Sequence, residues 1–359
     1  MLTASLFMAA MAFTACSSDD DDNGGKAKLW PARSTSDNLW GYINEKGEMV
    51  ITPKFTKANF FVNGLASVEV GNSKWFFIDT NGNIKSGNAT FDEAKTFYNG
   101  YARVKKDGLY GLVDTNINYV IPPMFYHLDN VVANGLLMCK LSSSGKYCYV
   151  NTKGEKVIDY QFDDAFPFYD GVAAAVKIGN AWGLINSSGN IIVAPKYAEL
   201  RYAGSNRYLF ASEISSSTTG SYSCLYGLMD ASGTEVVPAM YLGIDGDEYD
   251  TSGRFAAKNA NGKWGFIDGN GNTIVDFAYN RVGEFLNGYG SVYAENGVGQ
   301  IINTSGQPVL TLEKGEVSEG YHNGLIRIYK KQDDKGHGQT TYKYRNLEGK
   351  TVYMWVESY

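Results

Sequence analysis

The sequence predicts an all-β fold, and three observations carry that prediction. Its 359 residues include 26 Tyr, 18 Phe, 6 Trp and 41 Gly against 8 Pro, a composition that favours aromatic-rich strands joined by glycine turns over helices or disorder. One stretch, 261-NGKWGFIDGNGNTIV-275, has relatives along most of the chain. Within it, Trp264-Gly-Phe-Ile-Asp268 alternates apolar with small or polar residues, the two-residue period of a half-buried strand. The balance of 32 basic against 38 acidic side chains, formally −6, offers no basic face for phosphate backbones. Nucleic acid is therefore not an expected partner.

The chain begins 1-MLTASLFMAAMAFTACSSDDDDNGG-25, an apolar run too short to remain as a membrane-spanning helix. It resembles a lipoprotein signal peptide. The small residues before Cys16 resemble a lipobox, which implies cleavage after Ala15 and a lipid on Cys16, although no Lys or Arg precedes the run. The acidic stretch Ser17 to Asp22 resembles the tag that sends lipoproteins of one group of Gram-negative bacteria to the outer face of the outer membrane. The expected organisation is a signal peptide over 1–15, an acidic and glycine-containing tether over 16–28, and a repeat domain over 29–359.

Nine copies of the repeat follow. Their leading aromatic positions are Trp40, Trp75, Tyr110, Tyr147, Trp182, Tyr226, Trp264, Val298 and Tyr342, spaced by 34 to 38 residues with two intervals of 44. A period of that size marks a stacked or radial repeat architecture. Each copy reads as three strands. The strand at the aromatic turns at an Asn or Asp, found in all nine copies: Asn44, Asp79, Asp114, Asn151, Asn186, Asp230, Asp268, Asn303 and Asn346. Three residues later stands a glycine in every copy but the third, which has Ile117. Such a residue caps a type I turn, and the glycine takes the left-handed conformation that closes the hairpin. A third strand precedes the aromatic, as in Phe97-Tyr-Asn99-Gly100-Tyr-Ala-Arg-Val104. The Asp107-Gly108 turn then puts Val104 opposite Gly111, and a glycine there lets the neighbouring ring lie over the sheet.

The same count places Cys139 opposite Cys148 if 142–145 form a four-residue turn. A cross-strand disulfide is one reading and a pair of buried thiols the other. Asp268-Gly-Asn-Gly-Asn looks like a calcium loop, but Thr273 and Tyr279 stand where such a loop needs Gly and Glu. Two insertions are irregular. Residues 244–250 cluster carboxylates, and 331–340 carry Asp333, Asp334 and His337; solvated loops are the favoured reading of both, cation sites the other. The histidines, His127, His322 and His337, pair by spacing with no nucleophile, so an enzyme is not expected, nor a cofactor or resident metal.

The core Trp-Gly-aromatic-Ile-Asp/Asn, with Val-Ile-x-Pro-Lys-Phe/Tyr and Phe-x-Asn-Gly-Leu-Ala-x-Val, resembles the WG-repeat family of bacterial proteins over roughly residues 29 to 355. That family implies a repeat and no catalytic residues. The second copy, 73–87, is also similar to the hairpins of choline-binding-type cell-wall-binding repeats, though its period is longer.

Three-stranded units of ~35 residues must stack to bury their faces. Because propellers usually hold four to eight four-stranded blades, the expectation is an open superhelix of about nine three-stranded units, with a closed propeller as the alternative. The expected function is a non-enzymatic, surface-anchored lipoprotein presenting an extended face to protein partners. The alternative is a glycan or cell-wall binder using Trp40, Trp75, Trp182 and Trp264 as stacking rings. A third reading, an enzyme with its site in the 197–225 or 244–253 insertions, predicts a deep polar pocket beside one of them.

Overall fold

The computed structural model describes residues 28–358 apart from 72, 88, 170–171, 213–223, 248–250 and 333–337. Among these residues there is no helix; 34 strands form nine antiparallel sheets in chain order. The third sheet is representative: Glu93–Ala94, Tyr101–Lys106, Leu109–Asp114 and Tyr119–Phe125 pair in succession. Seven sheets have four strands; the first and second have three.

The sheets close into a ring. Nine clusters of buried apolar side chains make up the core, and each lies between two consecutive sheets. An open array of nine sheets has eight such junctions. The ninth cluster here joins Trp30, Ala32 and Ile43 of the first sheet to Leu325, Tyr344 and Trp355 of the last. Around it the indole of Trp30 donates to the carbonyl of His322 at 2.6 Å, and the hydroxyls of Tyr344 and Tyr353 donate to the carbonyls of Pro31 and Arg33 at 3.0 and 3.1 Å. Arg33 and Glu357 form an ion pair at 2.8 Å across the same seam.

The expected open superhelix of three-stranded units is thus corrected to a closed nine-bladed propeller. The missed element is the first strand of blades two to nine, which in four of them is only two residues long: Lys57–Ala58, Glu93–Ala94, His127–Leu128 and Asp164–Ala165. Two residues are too few to show a strand period. Nine blades also exceed the four to eight that propellers usually hold.

The hairpins form as the spacing predicts. Val104 pairs with Gly111, and Asp107 and Gly108 take φ of 51° and 82° in the turn between them. In all nine C-terminal hairpins the Asx side chain caps the turn; Asp268 Oδ1 accepts from the backbone of Asn270 at 2.8 Å and Asn272 at 2.9 Å. Gly271 closes that turn at φ 87°. Its Cα faces Val237 of the preceding sheet, where an added Cβ would lie 3.3 Å from the Val237 Cγ2. Each turn tip therefore docks on its neighbour, and glycine serves both conformation and approach.

One physical reason differs from expectation. Gly111 does not make room for a ring; a Cβ there would lie 2.6 Å from the carbonyl oxygen of Ile121 and 2.8 Å from the nitrogen of Pro123. The outer strand bulges toward this glycine, as it does at Gly41, Gly183, Gly227 and Gly265.

Candidate functional site: an acidic cavity at the ring axis

Two blades carry unusually long first strands, Arg281–Leu286 in the eighth and Glu316–His322 in the ninth. Both are bulged against their partners. Gly283 pairs with Ser291 and Leu286 with Tyr289, leaving Glu284 and Phe285 opposite the single residue Gly290. Ser318 pairs with Ile328 and Tyr321 with Ile326, leaving Glu319 and Gly320 opposite Arg327. A bulge turns side chains out of the regular alternation. Here it brings Glu284 and Glu319 to the wall of one cavity of about 360 Å³.

The other walls come from distant parts of the chain. Phe60 belongs to the second blade and stands three residues ahead of its Asn63-Gly64 corner, as Glu284 does ahead of Asn287-Gly288. Asp245 and Asp247 come from the seventh blade. Blades two, seven, eight and nine can share one cavity only near the axis of the ring, so the cavity depends on closure.

The charged side chains that line the cavity are Asp245, Asp247, Glu284, Glu319 and Arg327. Arg327 pairs with Glu319 at 2.8 Å and lies 5.8, 5.3 and 5.5 Å from the rings of Trp40, Tyr342 and Trp355. Asp245 pairs with Arg201 of the sixth blade at 2.9 Å. Burial pushes the Glu319 carboxyl above its ordinary range, with Arg327 opposing and Glu357 adding to the rise. Burial, reinforced by the charge of Arg327, pushes His322 down to about 4, so its ring is neutral at pH 7. That ring stacks on Phe60 at 4.4 Å, and Tyr289 meets Tyr321 at 4.4 Å.

The sequence-derived candidates lie elsewhere. Cys16 and the tether fall outside the described residues, as do His337, Asp333 and Asp334. Trp40, Trp75, Trp182 and Trp264 sit in four different blades and are not brought together. Trp75 and Trp182 are buried, and Lys57, Lys177 and Lys258 lie 5.7, 5.9 and 5.8 Å from the rings of Trp75, Trp182 and Trp264. Cys139 and Cys148 are paired residues as counted, with sulfurs 2.7 Å apart and both thiols free. The hydrogen bond to Cys148 and burial hold Cys139 protonated far above the ordinary thiol range. The Asp268 carboxylate is occupied by its own turn, where Asn272 Nδ2 donates to Oδ2 at 2.8 Å.

The cavity residues were not found by sequence reasoning, except that the 244–253 insertion supplies Asp245 and Asp247. A signal was present: Glu284 stands where sibling corners carry Phe60, Thr96 and Val131.

The profile of the WG containing repeat matches residues 40–75, 75–110, 147–180, 182–207 and 264–297. This chain carries the WG repeat. Antiparallel sheets of three or four strands make up all nine blades, including those outside the five matched segments. No curated protein matches the chain in sequence. Among solved structures, a eukaryotic initiation factor aligns with a TM-score of 0.64 at 13% identity, covering 93% of this chain and 96% of its own. At that identity the likeness is one of fold. AztD from Citrobacter koseri aligns at 0.42 and 10% identity, over 91% of this chain and 94% of its own. BamB from Moraxella catarrhalis aligns at 0.35 and 12%, over 94% and 95%.

Proposed function

We propose that this WG-repeat propeller is a non-enzymatic binding protein, anchored by a lipid on Cys16 and displayed at the outer face of an outer membrane, where it engages a protein partner. The observation that supports binding is the axial cavity, whose walls join four blades and so give the closed ring a recognition site that no single repeat has. The lipobox-like residues before Cys16 and the acidic tether support the anchoring.

Affinity capture from a surface fraction with residues 29–359 tests the binding role. A discrete partner, lost when the ring is unfolded, is the expected result. Tryptophan quenching by a glycan array with no protein captured would replace this reading with the glycan one, and turnover of a small molecule would replace it with an enzyme. For the anchor, Cys16→Ser should abolish fatty-acid incorporation and release the protein from membranes. Export also implies an oxidising compartment, in which Cys139 and Cys148 close to a disulfide by losing two protons and two electrons to a disulfide oxidant. Intact mass without reductant, lower by two hydrogens, reads that step.

A further inference from the structure

We infer that the outer edge of the ninth blade is a self-association site, where strand Thr351–Ser358 pairs antiparallel with the same strand of a second copy of this chain. The outermost strand of a propeller blade leaves one row of backbone N–H and C=O groups without a ladder, and such a row invites another strand unless something blocks it. The other blades are blocked. Pro53, Pro123, Pro195 and Pro238 interrupt the outer strands of the first, third, fifth and sixth. Pro308 opens the short outer strand of the eighth. Asp159 and Asp276 put charge in those of the fourth and seventh, and both strands shift register twice against their partners. The second blade has no outer strand.

The ninth blade has none of these devices. Its last two strands pair without a break from Gln339–Ser358 to Tyr344–Tyr353, and the one shift lies beside the turn. Where most siblings place a glycine under a bulge, Lys343 pairs directly with Met354. The outer strand holds no proline, and no charged residue stands from Thr351 to Val356.

Two backbone bonds fix which groups face outward. Gln332 N donates to the carbonyl of Gln339 at 3.0 Å, and Asn346 N to that of Lys350 at 3.1 Å. Alternation from these two points turns the backbone groups of Tyr342 and Tyr344 toward their partners Trp355 and Tyr353. Met354 and Val356 therefore point theirs away from the blade. Their side chains are 51% and 36% exposed, and among the described residues no strand lies beyond them. Toward the turn the edge is covered, because Gly47 of the first blade packs on the carbonyl of Val352.

That leaves Met354 and Val356 to carry the pairing, and a second copy matches them. A two-fold axis sets Met354 of each copy opposite Val356 of the other, so both apolar side chains gain an apolar neighbour. In that register Tyr353 lies opposite Glu357, and the two Glu357 carboxylates do not meet.

Sedimentation velocity on residues 29–359, which hold all nine sheets, tests this, with reductant present so that no Cys224 disulfide links two chains. The expected result is a monomer–dimer equilibrium that shifts with concentration. Met354→Lys installs the residue that Lys54 and Lys196 supply before the aromatic of sibling strands. It should weaken dimerisation about tenfold or more, because a charged edge resists pairing, with the thermal melt unchanged. Val356→Pro removes an outward N–H and none that faces the blade, and should do the same. The inference is overturned if the chain stays monomeric up to about 0.1 mM, or if both well-folded variants dimerise like the wild type. A monomer that captures another protein, and loses it with Met354→Lys, would assign the edge to a foreign strand and equally overturn the pairing of two copies.

Discussion

The second and ninth blades depart from the common blade in opposite directions. The ninth is the most built up. Its last two strands, Gln339–Asn346 and Thr351–Ser358, run eight residues each, and it encloses a charge cluster: Glu316, almost fully buried, accepts from Lys343 at 2.8 Å and from Arg345 at 2.9 and 3.1 Å. The second is stripped down. Its strand Lys74–Asp79 has no regular outer partner, only isolated bridges at Trp75–Phe91 and Ile78–Ile84. Neighbours along the chain are held close by their linkage, whereas the first and last blades meet only by closing a loop of some three hundred residues, which costs entropy. The extra structure of the ninth blade stands at that seam.

The largest effect is expected at Glu316. Glu316→Ala leaves Arg345 and Lys343 without their buried partner and should cost about 3–5 kcal/mol in denaturant unfolding. Burial alone would raise the Glu316 carboxyl, but the hydrogen bond from Lys343 and the charge of Arg345 outweigh it and hold the group below its ordinary 4.5. The unfolded chain therefore takes up this proton first as pH falls. The contribution is fully present above about pH 4.5 and is lost as pH drops through the folded value. Unfolding midpoints between about pH 6 and pH 3 should show a steeper fall in the wild type than in Glu316→Gln. Equal slopes would mean the cluster does not favour the ionised carboxylate.

The next effect concerns the outer strand. Where most siblings carry the WG glycine, the second blade carries Phe76, the fourth Cys148 and the ninth Lys343. Gly111 meets the bulged backbone of Ile121 and Pro123, whereas the strand holding Phe76 has an outer neighbour only at the Trp75–Phe91 and Ile78–Ile84 bridges. The fourth blade seats Cys148 at this position under an outer strand with the same register shift, so the backbone can adjust, and Gly111→Ala should cost about 1–3 kcal/mol. The same added Cβ is already tolerated at Phe76. A thermal melt of Gly111→Ala indistinguishable from wild type would contradict this origin of the glycine.

Much of this was legible in the residues before the structure. The strand period at Trp264, the Asx caps and the register of Val104 on Gly111 all follow from local rules, because hairpin geometry is set by a few neighbouring residues. Ring closure was not legible. It depends on Trp30, Tyr344 and Trp355 meeting across most of the chain, and no local period encodes that distance. The cavity was hidden for the same reason, since Phe60 and Asp245 become neighbours only through closure. Glu284 was visible as an exception in its corner, but its bulge was not.

The exception at Ile117 has a partner, and the two together explain each other. In the first blade the residue paired with Tyr42 is Ile51, and an added Cβ on Gly82 of the next blade would lie 3.1 Å from Ile51 Cγ2. In the second blade Asp79 and Lys85 donate to the carbonyls of Asn83 and Phe77, and that register puts Ser86 where Ile51 stands. Ser86 is buried and its Oγ has no hydrogen-bond partner. By the geometry of the Gly82–Ile51 junction, the turn that should face it is that of the third blade, which carries Ile117, packed on the core between blades two and three at φ 64°. A large residue facing a glycine has become a small one facing an isoleucine. Ser86→Ile should then lose about 1–3 kcal/mol by overpacking, and adding Ile117→Gly should recover most of it. A coupling energy of about 1 kcal/mol or more is expected from the double-mutant cycle.

Ile117→Gly alone should be the smallest change of the set. It relieves a branched side chain from the left-handed region, a gain of about 1–2 kcal/mol, and removes a half-buried apolar group worth about the same. The two nearly cancel. A net shift within about 1 kcal/mol is expected, against a clear loss for Ile117→Ala, which keeps the strain and gives up the packing. If Ile117→Gly were instead as damaging as Ser86→Ile, the isoleucine would be holding the junction by itself, and the paired exchange would not be the reason the third turn departs from its siblings.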